Sequence, residues 1–236
     1  MEESQALGER IQAVRERIAA AAARSEREAG AVTLVAVTKK VPVAAIQAAY
    51  EQTLRIFGEN RIQEAQAKIP ELRLPEIRWE LVGHLQTNKI NEALALFHRV
   101  QSVDSLRLAE KLDAHAGARG RVMPILLEVN VGREANKLGV LPDEARDAAR
   151  ALARFAHLRV EGLMTVAPIG GAEEVRPIFR WLRELRDELR ETVPLPNGGA
   201  WRELSMGMTD DFETAIEEGA TLVRVGRAIF GERPPG

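Results

Sequence analysis

Short apolar runs alternate with helical segments along almost the whole chain, and this alternation limits the fold more than any other feature. The runs are Leu34–Val37, Leu54–Phe57, Trp79–Val82, His98–Val103, Met123–Asn130, Leu158–Thr165, Arg202–Ser205 and Thr221–Val225. Each is bounded by turn signals, as a buried strand reads. Helical patterns separate them: Pro42 to about Gln52, up to about Lys68, through Leu96, a helix carrying Leu106, Ala109 and Leu112, and Pro142 to about Phe155. A further helix has Val175, Phe179, Leu182, Leu185 and Leu189 on one face, and Thr209-Asp210-Asp211 reads as a capped, acid-rich helix start. Asp104 or Ser105 caps the helix after the fourth run. Eight strands, each followed by a helix or helical turn, predict a single-domain α/β fold, a (β/α)8 TIM-type barrel over residues 1–236. A doubly wound open sheet could absorb the same string but wants fewer strands. A first helix over residues 4–28, with Leu7, Ile11, Val14 and Ile18 on one face, is extra and should cover the bottom or side of the barrel.

Composition narrows the function. The 236 residues carry a formal net charge of -2, and no basic stripe of the kind nucleic-acid readers use stands out. No apolar run is long enough for a bilayer, and the acidic, amphipathic start is not a signal peptide. Cysteine is absent, which removes disulfides and thiolate metal sites and fits a cytoplasmic location. The four histidines show no H-x-H or H-E-x-x-H spacing, so no metal is expected. There is also no Walker loop, G-x-G-x-x-G or nucleophile elbow.

In parallel barrels chemistry sits at the carboxyl ends of the strands. Lys39 is expected at the end of the first strand, just before Pro42 opens a helix. It is one of six lysines, with Lys40, Lys68, Lys89, Lys111 and Lys137. A lysine deprived of water leans toward the free amine, which attacks aldehydes to form a Schiff base. Taken alone, this lysine more often snorkels to solvent. Ser205-Met206-Gly207-Met208 follows the seventh strand, and Gly226-Arg227 follows the eighth. Barrels often bind phosphate there, although glycines at strand ends also serve simply as turns. Arg224 stands on the opposite strand face from Val223 and Val225. A buried guanidinium needs acceptors: either a barrel carboxylate such as Glu128, or a bound ligand. His84 reads as a satisfied histidine near the core. Lys137 is either a solvated loop lysine or a second, weaker anion or aldehyde contact at the barrel mouth.

These pieces together resemble the pyridoxal phosphate homeostasis proteins, whose fold is similar to the N-terminal barrel of alanine racemase. The matching stretches include Ala36–Lys39, Phe57–Asn60, Gly83–Lys89, Val129–Lys137, Gly162–Thr165, Leu204–Phe212 and Val223–Gly226, and they span nearly the whole chain. The resemblance implies that Lys39 holds pyridoxal 5′-phosphate (PLP) as an imine. It implies a phosphate site at Ser205, Met206, Gly207, Gly226 and the backbone of Arg227. Arg224 is implied to face the pyridine nitrogen, with Asn60 beside the cofactor. Thr38, Arg61 and Arg227 depart from the usual family residues. Arginine is donor-only, so the ring nitrogen it meets is an acceptor, a weaker electron sink than a pyridinium.

The expected function is therefore PLP storage, delivery or buffering, without dedicated catalysis. The expected partners are PLP itself and, transiently, PLP-dependent apo-enzymes. The chain is expected to act as a monomer, without nucleic acid or membrane. The alternative is a racemase-like PLP enzyme. That needs a tyrosine opposite the lysine, supplied by a C-terminal domain. The single tyrosine is Tyr50, in the helix after the first strand, and the chain stops soon after Phe230.

Overall fold

A computed structural model describes residues 2–72 and 74–232. The eight expected strands form: β1 (Thr33–Val37), β2 (Ile56–Glu59), β3 (Arg78–Leu81), β4 (Arg99–Val103), β5 (Met123–Glu128), β6 (Leu158–Met164), β7 (Glu203–Ser205) and β8 (Leu222–Val225). They close into one parallel barrel in sequence order. β1 pairs with β8 to complete the ring, with Val35 opposite Arg224 and Ala36 opposite Val225. The helices are α1 (Glu2–Arg24), α2 (Val43–Glu51), α3 (Ile62–Lys68), α4 (Ile90–Leu96), α5 (Leu106–Gly117), α6 (Ala145–Leu152), α7 (Ala172–Thr192), α8 (Phe212–Glu217) and α9 (Arg227–Phe230).

The helices after the strands turn their apolar residues inward, whereas α1 packs on other helices. On α7 the predicted face of Val175, Phe179, Leu182, Leu185 and Leu189 is wholly buried. The main core therefore lies between the strand ring and the helices. A smaller apolar cluster of Val35, Val82, Leu126, Met164 and Leu222 forms separately. The first helix covers the side of the barrel: α1 lies against α2, α8 and α9. Arg17 of α1 pairs with Glu213 at 2.9 Å and stacks over the Phe212 ring. Arg10 Nε donates to the Ile229 carbonyl at 2.7 Å. Among the described residues no helix is long and apolar enough to cross a membrane.

Three boundaries differ from the sequence reading. α1 ends at Arg24 rather than near residue 28, because the chain turns there and Arg27 N returns to the Ala22 carbonyl. Pro42 is the residue before α2 rather than its first turn, with extended backbone at ψ 153. Asp211 precedes α8 without capping it through its side chain. Its Oδ1 instead accepts from Met208 N at 2.6 Å, folding the loop after β7 back on itself. Ser105 does cap α5, accepting from Leu108 N.

Candidate cofactor site at the carboxyl end of the barrel

β1 ends at Val37, so Lys39 stands two residues beyond the strand, in a turn closed by Val41 N to the Thr38 carbonyl at 2.9 Å. Lys40 supplies the bend with φ 59, and its N–H donates to Glu64 Oε2 at 2.8 Å. The same Thr38 carbonyl accepts from Lys68 Nζ at 2.7 Å. Lys68 Nζ also meets Glu59 Oε1 at 2.9 Å and Glu64 Oε2 at 3.3 Å. Glu59 is fully buried and takes the Thr38 hydroxyl at 2.6 Å. Burial pushes the Glu59 carboxyl up, against its bonds to Thr38 and Lys68. This network fixes the base of the turn, so the half-buried Lys39 side chain projects from a rigid support.

The turn borders a cleft of about 480 Å³. Lys39, Asn60, Arg224, Gly226 and Arg227 all line it, with Val37, Val82 and Val166 giving apolar wall. Asn60 Oδ1 is buried and has no hydrogen-bond partner among the described residues, although Asn60 faces the cleft. Gly83 allows Asn60 to sit where it does. A Cβ at Gly83 would stand 2.4 Å from the Asn60 carbonyl oxygen and 2.7 Å from its Cα.

Arg224 is buried, and burial pushes its guanidinium down to about 10, still a cation at neutral pH. Its Nη1 donates to Ser205 Oγ at 2.5 Å and its Nη2 to the Thr165 carbonyl at 2.8 Å. Glu128 and Asp211 act on it through space, and they favour its charge. The acceptors are thus a hydroxyl and a carbonyl rather than the Glu128 carboxylate considered from sequence. Two of five N–H donors are engaged, and the side chain still reaches the cleft. Glu128 itself is pushed up to about 7 by burial and by the Asp104 charge, with Arg224 opposing.

Ser205, Met206 and Gly207 lie behind the cleft wall. All three are buried, and the Ser205 hydroxyl donates to Gln101 Oε1 at 2.6 Å. Gly207 has φ 92, and a Cβ there would meet the Ala215 Cβ at 2.6 Å, so this loop packs tightly on α8. The next residues do reach the cleft. Thr209 and Asp210 line it. Thr209 Oγ1 accepts from Ala228 N at 3.5 Å, and Asp210 holds the Arg227 guanidinium. In the sequence Thr209 and Asp210 read as a helix start within the family-like stretch Leu204–Phe212, without a role at the site. A hydroxyl two residues after the glycine that follows β7 was the available signal. His84 is satisfied by Asp104 at 3.0 Å, but it is half-exposed rather than near the core. Lys137 Nζ donates to the Ala167 carbonyl at 2.9 Å and pairs with Glu134, off the cleft.

The arrangement suits one kind of ligand: an aldehyde within reach of Lys39, a flat ring between valine side chains, and an anionic group toward Gly226 and Arg227. A ring acceptor would meet Arg224, and the orphaned Asn60 atom would gain a partner. A closed parallel barrel with this lysine and arginine belongs to the class built on the alanine racemase N-terminal domain, whose family model matches residues 10–234. Within that class, the chain belongs to the pyridoxal phosphate homeostasis protein family. It is 41% identical over 228 residues to the pyridoxal phosphate homeostasis protein of Aquifex aeolicus, covering 95% of this chain and 97% of the relative. It is 39% identical to PipY of Synechococcus elongatus PCC7942, whose structure has been solved in two forms. Without PLP, PipY superposes with a TM-score of 0.86, and with PLP bound 0.83, each over 95% of this chain and all of that one.

Proposed function

We propose that this protein binds pyridoxal 5′-phosphate reversibly and stores, buffers or hands it on, with no dedicated catalytic turnover. The observation that carries this reading is the meeting of Lys39, Arg224, Asn60, Gly226 and Arg227 in a single cleft. When bound, PLP supplies an aldehyde that condenses reversibly with an amine. Lys39 is that amine, held at a fixed turn by Lys68 and Thr38. Arg224, on the cleft wall, would donate to the ring nitrogen, and a donor-only partner there would leave that nitrogen unprotonated. Backbone N–H groups at Gly226 and Arg227, which line the cleft, would hold the phosphate. Ser205 and Gly207 shape this cup from behind.

Besides Lys39, the described cleft lining holds two carboxylates, Asp210 and Glu232, and both are turned to Arg227. Tyr50 lies outside the cleft, its hydroxyl donating to the Pro75 carbonyl at 3.0 Å. A donor-only partner at the ring nitrogen also withholds the stronger electron sink that carbanion chemistry uses. The protein acts as a monomer that meets PLP-dependent apo-enzymes transiently.

The test is an absorbance spectrum of the protein with PLP, before and after borohydride, followed by peptide mapping. A reduced adduct on the Lys39 peptide is expected. An adduct chiefly on Lys89 or Lys137, or none at all, overturns the reading.

A further inference from the structure

At the opposite end of the barrel, where the strands begin, lies a second cavity of about 340 Å³. Arg99 of β4, Arg159 and Glu161 of β6, Gly198 in the preceding loop, and Arg202 and Glu203 at the start of β7 line it. Three guanidinium groups and two carboxylates line it, a surplus of one positive charge. Glu161 pairs with Arg99 at 2.9 Å and with Arg159 at 2.9 Å. Glu203 Oε2 accepts the Thr221 hydroxyl at 2.5 Å. Among the described residues the Arg202 guanidinium has no partner, and Arg99 Nη1 and Glu161 Oε2 are each buried without a hydrogen bond. A buried polar atom left unpaired is costly, and a phosphate group that keeps one proton would satisfy both, its anionic oxygens on Arg99 and Arg202 and its hydroxyl on Glu161. The volume is that of a small-molecule pocket.

This cavity is joined to the cofactor cleft by polar side chains along the barrel interior. Arg99 Nε lies 3.7 Å from Glu80 Oε1. Glu80 Oε2 accepts from Gln101 Nε2, and Gln101 Oε1 accepts the Ser205 hydroxyl at 2.6 Å. Ser205 in turn accepts from Arg224 Nη1 at 2.5 Å, and Arg224 lines the cleft. Glu80, Gln101 and Ser205 are all buried, so a change of charge at Arg99 is weakly screened along the chain. Burial pushes the Glu80 carboxyl up and the Arg99 charge draws it down, so an anion on Arg99 shifts Glu80 toward its protonated form.

We infer that the cavity at the amino-terminal end of the barrel is an effector site for a small phosphate-bearing anion, coupled to Arg224 through Glu80, Gln101 and Ser205. The binding half of this inference stands on its own; the coupling half rests on the cofactor reading above. By linkage, whatever factor the anion changes in cofactor affinity, the cofactor changes in anion affinity.

Pyrophosphate and inorganic phosphate serve as probes, titrated calorimetrically into the parent protein and into Arg202→Ala, Arg202→Lys and Gly226→Asp. Arg202 is exposed, so its variants should keep the fold, checked by circular dichroism. Pyrophosphate binding should weaken about tenfold in Arg202→Ala, as for a lost charge-assisted hydrogen bond, recover in part in Arg202→Lys, and persist in Gly226→Asp. Saturating pyrophosphate should change PLP affinity in the parent by about fivefold or more, an effect lost in Arg202→Ala. Competition at the cofactor cleft, in contrast, would survive in Arg202→Ala. Anion binding that disappears in Gly226→Asp and ignores Arg202→Ala overturns the site and leaves the PLP reading intact. Unchanged PLP affinity with pyrophosphate bound overturns the coupling. Phosphate bound as tightly as pyrophosphate would narrow the effector to inorganic phosphate and support the site equally.

Discussion

Ser205 and Arg224, on neighbouring strands, share a hydrogen bond of 2.5 Å beneath the cofactor cleft, with the serine oxygen accepting. This bond makes Ser205 a prop for the arginine. Ser205→Ala removes an acceptor from Arg224 and a donor from Gln101, and both are buried. Unfolding in urea should show a loss of about 1–3 kcal/mol. Affinity for PLP and for pyridoxal without its phosphate should fall by the same factor, because the ring partner is disturbed. A selective loss for PLP alone would place the hydroxyl on the phosphate instead.

Lys68 holds the turn that presents Lys39. Lys68→Met keeps the length but strips a cation from Glu59, which is fully buried. A buried carboxylate left alone is strongly destabilising, so a loss of about 3 kcal/mol is expected. Adding Glu59→Gln to Lys68→Met should restore part of it, since the uncompensated charge is then gone. Thermal melts of the two variants against the parent measure this coupling.

Gly83→Ala tests the placement of Asn60. The new Cβ would overlap the Asn60 backbone, so Asn60 must move. Overpacking of this kind costs about 1–3 kcal/mol. PLP affinity should drop while Lys39 still accepts the aldehyde, as seen by borohydride trapping at high PLP. Unaltered affinity would remove Asn60 from the site.

Glu128 should impose a pH dependence on stability. Its carboxyl is pushed up to about 7 from an ordinary 4.5, so the folded state holds a proton that the unfolded chain releases. The contribution is fully present below pH 4.5 and is lost as pH rises through 7. It amounts to about 3 kcal/mol at most. Urea midpoints at pH 5 and pH 8 should differ less in Glu128→Gln than in the parent. Parallel pH profiles would place the titration elsewhere.

Much of this was legible in the residues. The eight apolar runs and the intervening helix faces marked a barrel, because strand and helix periods are local properties of the chain. Lys39 before Pro42 and Arg224 inside an apolar strand were candidates with a structural alternative each, and the family resemblance gave them their expected roles. Thr209 and Asp210 were not candidates, because their side chains become cleft wall only once the loop after β7 folds back on Met208. The free Arg202 and the orphaned Arg99 nitrogen were equally hidden, since surface arginines are ordinary in any sequence.

Element order and the resemblance to one family could be read from the residues alone, and the same reading offered Lys39 and Arg224 as candidates. Tertiary structure alone decided how side chains meet across the ring. Pairing of β1 with β8, Val35 opposite Arg224, brings the two ends of the chain together and sets Lys39 and Arg224 on one cleft. It also turned Ser205 toward Gln101 instead of the cleft and threaded Glu80, Gln101 and Ser205 between the two mouths of the barrel. Which side chains meet inside a closed barrel depends on strand register and shear, set by backbone bonds between residues far apart in sequence.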